Sequence, residues 1–294
     1  MIANQQRSES NPLLATPATP ATPAMPAAPA SPLARPTTRL QAPRLLAPIV
    51  LVHGFFGFDV QRIGRFRVRR YWPGIVPMLR RSGNRVLVAR LAPTDSISHR
   101  ARQLQAFIES HLPDGPLHLI AHSMGGLDCR YALTHLGLHQ RVLSLTTINS
   151  PHQGSALADF GVKQVEGLMK LLFAAMGLTT RGVYDLTREA CQRFNETTPD
   201  VPGVVYHSVA SSCSLAALPP QFIGSYLLIQ AEEGANDGLV STRSAARWPG
   251  TEYWRAAHTD VVNWPNVPAQ LFGQWCDPLR RYVRLIERLA ALGF

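Results

Sequence analysis

The 294-residue sequence is poor in cysteine and lysine, and it lacks long apolar runs. Its cysteines, Cys129, Cys191, Cys213 and Cys276, show no CxxC or other metal-ligand spacing, which argues against a zinc or dithiol site. Cys191 and Cys213 flank a predicted strand, so a disulfide between them stays open. No run approaches the ~20 apolar residues of a membrane-spanning helix. Residues 1–12 lack the apolar segment of a signal peptide, so we expect no transmembrane span and the cytoplasm as the default location.

Arginine supplies almost all of the positive charge. The formal net charge is +10, yet lysine occurs only at Lys163 and Lys170. The densest basic cluster consists of Arg62, Arg65, Arg67, Arg69, Arg70, Arg80 and Arg81. Aromatic residues interleave with it, as in some nucleic-acid interfaces. No nucleic-acid motif accompanies the cluster, so we interpret it as a solvated face and expect no nucleic-acid partner.

The chain divides into a low-complexity segment and one large domain. Proline, alanine and threonine dominate residues 16–36, and proline at this density prevents helix and sheet formation. We expect residues 1–44 to be disordered and residues 45–294 to form the domain. Since 46% of the sequence is hydrophobic, the domain can bury a substantial core.

Strands and helices alternate along the first half of this domain. Strands are predicted at 49–52, 85–91, 117–121, 142–148 and 204–210, and helices at 71–81, 98–111 and 124–136. Alternation with helical spacers predicts an α/β fold, with a mostly parallel, doubly wound sheet and helices on both faces. In such folds, ligands bind beyond the carboxyl ends of the strands.

The alternation of predicted strands and helices stops after Ile148. Residues 156–180 are strongly apolar at helical spacing, and the sheet resumes only near residue 204. We predict an insertion at about 155–200 that lies over the strand ends. Its apolar helix fits a lid over a site and a core helix equally well.

The stretch Leu117–Gly126, LHLIAHSMGG, is the most informative motif. An apolar strand pattern breaks at His122 and Ser123, and a helical pattern follows at once. A serine at a sharp strand-to-helix turn, flanked by small residues such as Ala121 and Gly125, is typical of a nucleophile elbow. The alternative is an ordinary turn with a capping serine.

A serine nucleophile needs a base, and the base needs an acid that orients it. In elbow hydrolases the chain order is serine, acid, histidine. His258 is the one histidine beyond residue 207. For the acid, Asp237 in an Asn-Asp-Gly turn is favoured over its neighbours Glu232 and Glu233, although such a turn can also form without any catalytic role.

An oxyanion hole needs two backbone N–H groups. The residue after the nucleophile, Met124, supplies one. The loop after the first strand, His53–Gly57 (HGFFG), fits the other, with Phe55 as the expected donor.

Four motifs precede His258 in the sequence, in the order HGFFG, AHSMGG, NSPHQGS and NDGLVS. In this combination, residues 48–263 resemble the bacterial true-lipase family of α/β-hydrolases, the Pseudomonas and Burkholderia type of triacylglycerol lipase. The resemblance implies a triad of Ser123, Asp237 and His258, with oxyanion amides at Phe55 and Met124. It also implies that residues 156–193 correspond to the family's lid.

Many members of this family hold a calcium ion, partly through an aspartate two residues after the catalytic histidine. Asp260 matches that position. The second aspartate has no counterpart at 214–220, and Trp264 replaces a glutamine. We therefore expect Asp260 to make a local hydrogen bond, and we expect no cofactor.

The resemblance and the motifs together imply a serine carboxylic-ester hydrolase acting on lipid acyl esters. The apolar insertion and the phenylalanines of the HGFFG loop favour an acyl chain and a peripheral contact with a lipid surface. An acyltransferase with the same triad is the nearest alternative. A non-catalytic lipid-binding protein of the same fold is a more distant one, because fold does not fix function.

Overall fold

Parallel strands form the central sheet of the protein. The computed structural model describes residues 40–57, 60–63, 66–165 and 178–294, with the backbone alone at 60–63, 66–69 and 164–165. The strands of the main sheet are β1 (Ile49–Val52), β4 (Val86–Val88), β5 (Leu117–His122), β6 (Val142–Ile148), β7 (Val205–Ser212) and β8 (Glu252–Arg255). Their order is β4-β1-β5-β6-β7-β8, and every neighbouring pair is parallel. A separate antiparallel hairpin joins β2 (Val60–Ile63) to β3 (Phe66–Arg70).

Helices cover both faces of this sheet. They are α1 (Ile75–Arg81), α2 (Ile97–His111), α3 (Gly125–His135), α4 (Ala156–Val165), α5 (Arg181–Asp185), α6 (Arg188–Thr197), α7 (Ile223–Glu232), α8 (Thr242–Ala245), α9 (Val267–Leu271) and α10 (Pro278–Ala291). Side chains of β1 alternate between the two faces. Ile49 and Leu51 pack in the core under α1 and α10, whereas Val50 and Val52 pack in the core under α2 and α3. Burial on both faces is why β1 is apolar at every position, and the parallel sheet between two helical layers confirms the predicted α/β fold.

Helix boundaries differ from the sequence-based expectation in one informative place. The helix predicted at 71–81 begins only at Ile75, because Gly74 adopts a positive φ of 76°. Tyr71 and Trp72 therefore precede the helix and lie buried in the core. Helix α2 begins at Ile97, one residue before the predicted start, and it is capped by Ser96, whose Oγ accepts the His99 N–H.

The polypeptide just before β1 packs on the domain. The Ala42 N–H donates to Ser82 Oγ at 3.0 Å, and the Leu45 N–H donates to Asn84 Oδ1 at 2.9 Å. These contacts begin before the predicted boundary between residues 44 and 45. The proline-rich residues 1–39 lie outside the described residues.

The insertion between β6 and β7 contributes α4, α5 and α6. The single apolar helix expected at 156–180 is described as a helix from Ala156 to Val165, and residues 178–180 are not helical. Residues 166–177, which carry most of the apolar pattern, lie outside the described residues. A lid at this position therefore stays a prediction.

The cysteines of the chain are all unpaired. Cys191 lies against the carbonyl oxygens of Pro151 and Asp185, whereas Cys213 follows β7 and contacts Asn236 and Tyr226. The disulfide that the sequence left open is thus absent. Across the described ranges, no helix has the length and apolarity to cross a membrane.

Candidate active site

Ser123 occupies a strained turn between β5 and α3. Its φ is 55°, a left-handed value that is rare for residues other than glycine. The turn is tight enough that neighbouring chain segments leave no room for side chains. A Cβ on Gly125 would lie 2.6 Å from the Val52 carbonyl oxygen, and one on Gly54 would lie 2.5 Å from Ser123 Cβ. This geometry is that of a nucleophile elbow, so the turn is more than an ordinary strand-helix connection.

Asp237 and His258 form a buried pair beyond the carboxyl ends of β7 and β8. His258 Nδ1 lies 2.7 Å from Asp237 Oδ2, and both side chains are almost fully buried. The other carboxylate oxygen, Oδ1, accepts the N–H groups of Leu239 and Val240 at 2.9 and 2.8 Å. The backbone also joins the two residues, because the His258 N–H donates to the Asp237 carbonyl at 2.8 Å. The carboxylate is therefore fixed on one side by its own turn and presents the other side to the imidazole.

A single apolar pocket brings Ser123 and His258 together. The cavity has a volume of about 490 Å³. Its lining is mostly apolar and includes Phe55, Phe56, Leu157, Ala158, Val183, Leu186, Phe222, Leu239, Val240, Val262 and Trp264. Within the described residues no hydrogen bond joins Ser123 Oγ to the His258 ring. Such contacts often tighten only when substrate is bound.

The HGFFG loop lines this pocket and carries one unpaired backbone N–H among its described contacts. The Gly54 N–H donates to the Tyr71 hydroxyl at 3.2 Å, and the Phe56 N–H donates to the Pro93 carbonyl at 2.7 Å. Phe55 lies between these two fixed amides. In the described part of the chain, neither its N–H nor that of Met124 has a protein acceptor. Two unpaired amides next to the serine are what an oxyanion site needs.

A buried ion pair holds the HGFFG loop in place. Arg100 of α2 lies 2.7 Å from Asp128 of α3, and both side chains are inaccessible to solvent. The same guanidinium donates to the carbonyl oxygens of His53 at 2.7 Å and Ala92 at 2.5 Å. These fixed acceptors satisfy much of the guanidinium's hydrogen-bonding capacity, which offsets the cost of burying it. Arg100 therefore connects the HGFFG loop to the helix that begins beside Ser123.

His53 itself shapes this loop. Its Nε2 accepts the Leu91 N–H at 3.2 Å, so the ring proton lies on Nδ1 and is donated to the Gly54 carbonyl at 3.0 Å. Burial, reinforced by the nearby charge of Arg100, lowers the pKa of His53 to about 3. His53 is therefore a neutral structural residue.

The neighbours of Asp237 have other roles. Glu233 accepts the Ala156 N–H at 2.6 Å and the Ser241 hydroxyl at 2.5 Å, so it ties the start of α4 to the loop that carries Asp237. Glu232 pairs with Arg188 at 2.7 Å. Neither glutamate contacts His258, whereas Asp237 does.

His122 lies beside His258, a position that sequence reasoning did not foresee. The His122 ring lies 4.5 Å from the His258 ring and lines the pocket with Tyr71 and Ser123.

The Asp260 carboxylate is surrounded by N–H donors. Asn266 Nδ2 lies 2.9 and 3.1 Å from its two oxygens, and the Ala257 N–H donates to Oδ2 at 2.9 Å. The Asn266 amide cannot be reversed, because its oxygen accepts the Ala269 N–H and its nitrogen also donates to the Ala217 carbonyl. Calcium requires oxygen ligands, so this donor set does not fit the ion. Asp260 instead makes the local hydrogen bonds that we expected.

Chelators should leave the activity and the Tm nearly unchanged. The reason is that hydrogen bonds from Asn266 and Ala257 already satisfy the Asp260 carboxylate. The test compares ester turnover and thermal unfolding in EDTA, calcium and magnesium. The variant Asn266→Asp, which places a second carboxylate against the first, should have a lower Tm that calcium partly restores. A rise in the wild-type Tm with calcium, beyond the magnesium control, would contradict this expectation.

Sequence reasoning missed Arg100, Asp128 and Tyr71. A signal was present for the first of these. Arg100 shares a face of α2 with the buried Ile97, Ala101 and Leu104, and an arginine on an apolar face requires a buried partner. Tyr71 gave no such signal, because it was assigned to a helix that does not include it.

Comparison with known proteins places these features in context. A family model described as alpha/beta hydrolase fold matches residues 47–185. Triacylglycerol lipase 2 of Saccharomyces cerevisiae is 33% identical over 251 residues, which cover 76% of this chain and 74% of the yeast protein. A triacylglycerol lipase of Vibrio cholerae is 32% identical over 284 residues, covering 84% of this chain and 88% of that protein. Among solved structures, Staphylococcus hyicus lipase resembles the fold with a TM-score of 0.63 at 18% identity, over 87% of this chain and 100% of that one.

Proposed function

Because the chain belongs to the lipase family of α/β-hydrolases and is a carboxylic-ester hydrolase, we propose that Ser123, His258 and Asp237 carry out its reaction. One observation carries this assignment. The 2.7 Å pair of His258 and Asp237 shares a pocket with a serine held at positive φ. A buried acid, an oriented base and a serine hydroxyl that lines the pocket at an elbow are the parts of a serine triad.

The reaction begins with attack of Ser123 Oγ on the ester carbonyl carbon. His258 Nε2 takes the hydroxyl proton, and the carbonyl π electrons move to the oxygen. The N–H groups of Phe55 and Met124 donate to that oxyanion. Collapse of the tetrahedral intermediate breaks the bond to the alcohol, which leaves with the proton from His258. Water then attacks the acyl-enzyme by the same route and releases the acid.

Asp237 determines which nitrogen of the base is available. Its Oδ2 accepts the proton on His258 Nδ1, so the lone pair lies on Nε2, the nitrogen that the reaction uses. When Nε2 gains a proton, the same carboxylate faces the imidazolium and stabilises it.

The pocket favours an ester with an apolar acyl chain. Its polar lining is confined to a few side chains around Ser123 and His258, while phenylalanine, leucine and valine line most of the remainder. Such walls gain free energy by removing a hydrocarbon chain from water. The named relatives are triacylglycerol lipases, so we propose lipid acyl esters as substrates, reached by peripheral contact with a lipid surface.

A serine-reactive phosphonate tests the proposal directly. We expect a p-nitrophenyl alkylphosphonate to abolish turnover of p-nitrophenyl esters and to add one phosphonyl group to the peptide that contains Ser123. Mass spectrometry of the digested protein locates the label. Turnover of esters of increasing chain length, measured in parallel, should rise beyond acetate. Labelling of another residue, with loss of activity, would overturn the assignment.

A further inference from the structure

Two side chains connect the backbone of the base to the backbone of the oxyanion loop. His122 Nε2 lies 3.1 Å from the His258 carbonyl oxygen, and His122 Nδ1 lies 2.8 Å from the Tyr71 hydroxyl. The same hydroxyl receives the Gly54 N–H at 3.2 Å. Tyr71 and His122 are both buried, so water does not compete for these hydrogen bonds.

The direction of each hydrogen bond follows from its partners. A carbonyl oxygen can only accept, so the His122 proton lies on Nε2 and is donated to His258. The pKa of His122 lies well below its ordinary value. The largest cause is burial, and the second is the charge of the neighbouring His258. The ring is therefore neutral, and its Nδ1 must accept the Tyr71 hydroxyl proton. The lone pairs of that oxygen are then available for the Gly54 N–H.

We propose that Tyr71 and His122, here named the Tyr71–His122 bridge, are positioning residues that fix the oxyanion amide of Phe55 relative to the base His258. The proposal rests on the proposed function, and it adds a mechanical link between two parts of the site that lie far apart in sequence. His122 takes no proton from Ser123, because its one accepting nitrogen is already bonded to Tyr71.

The bridge acts at the Phe55 amide because that amide lies between two anchored peptides. On one side, the Gly54 N–H is held by Tyr71, and on the other, the Phe56 N–H is held by Pro93. Loss of the first anchor lets the Phe55 N–H turn away from the developing oxyanion. This contact is made more strongly in the transition state than in the bound ester, so the loss should lower kcat rather than raise KM.

Tyr71→Phe removes one hydroxyl and tests the bridge. With p-nitrophenyl butyrate, kcat should fall about 10- to 100-fold. This loss is smaller than the about 10²- to 10³-fold loss that follows removal of an oxyanion donor, because the Phe55 N–H is displaced rather than removed. KM should stay within about threefold. The affinity for an alkylboronic acid, whose tetrahedral adduct with serine places an oxygen in the oxyanion site, should weaken by the same factor as kcat/KM.

Tyr282→Phe is the matched control. Its hydroxyl is also buried and also accepts one hydrogen bond, from Trp72 Nε1 at 3.0 Å, but it lies in the core and outside the pocket. Both variants should lower the Tm by similar amounts, and only Tyr71→Phe should lower kcat. Equal kinetic losses in the two variants, or a kcat for Tyr71→Phe within twofold of wild type, would overturn the proposal.

His122 variants test the two ends of the bridge separately. They still test the positioning role of the bridge if Tyr71→Phe fails to fold. In His122→Asn the shorter amide can still accept from Tyr71 but cannot reach the His258 carbonyl. In His122→Gln the longer amide can donate to that carbonyl but gives up the contact with Tyr71. Both should lower kcat without moving KM, and wild-type kcat in both would contradict the bridge. Failure of the proposed function would give a different result, because the Ser123→Ala variant would then keep its esterase activity.

Discussion

Ser123→Ala is expected to lower ester turnover by a factor on the order of 10⁶ while leaving the fold intact. The substitution removes only the hydroxyl that attacks the carbonyl. Because alanine also carries a Cβ, the backbone at φ 55° keeps its geometry, and the contacts of the turn with Gly54 are unchanged. The measurement is turnover of p-nitrophenyl esters, with circular dichroism and thermal unfolding to establish the fold.

Ser150→Ala provides the matched control. Ser150 is fully buried near the elbow, and within the described residues its hydroxyl has no hydrogen-bond partner. Its removal should therefore leave both kcat and the fold unchanged. If Ser123→Ala kept more than a few per cent of the activity with a wild-type spectrum, Ser123 would not be the nucleophile.

Asp237→Asn is expected to lower kcat by about 10⁴, the loss seen for the equivalent change in another triad enzyme. The direction follows from the hydrogen bonds around the carboxylate. Oδ1 faces the N–H groups of Leu239 and Val240, so the asparagine oxygen must take that side. Its NH₂ group then faces His258 Nδ1, which must accept. The ring proton moves to Nε2, where it blocks transfer from Ser123.

Glu232→Gln and Glu233→Gln are the controls for this prediction. Both glutamates lie close in sequence to Asp237, but their contacts are with Arg188, Ala156 and Ser241 rather than with His258. Each change should therefore reduce kcat only slightly. A severe loss in either glutamate variant, with a mild one in Asp237→Asn, would move the acid to that glutamate. The pH-rate profiles of all three variants complete the comparison.

Local pattern was sufficient to predict the sheet and the elbow. The strands at Ile49–Val52 and Val142–Ile148 are short apolar runs between helical spacers, and the structure has them at these residues. Ser123 was found because the elbow needs small neighbours within two residues, a constraint that the sequence shows directly. The structure also brings His258 and Asp237 together, although His258 was chosen by chain order and Asp237 by chain order and its turn.

Contacts between distant segments were not predictable in this way. Tyr71 and His122 are 51 residues apart, and His122 and the His258 carbonyl are 136 apart. Each of these residues alone is compatible with an ordinary core position, and only the packing of separate loops at the carboxyl edge makes them partners. The same holds for Asn266, whose bonds to Asp260 depend on a turn that places the amide over the carboxylate.

The left-handed backbone at Ser123 lowers the stability of the fold at the same residue that the proposed activity requires. A non-glycine residue in this conformation costs the folded state about 1 to 3 kcal/mol. Glycine would adopt φ 55° without that penalty, but it has no hydroxyl with which to attack an ester. Under the proposed function, selection for resistance to heat cannot relieve the strain at this position without losing the activity, and any gain in thermal tolerance has to arise elsewhere in the chain.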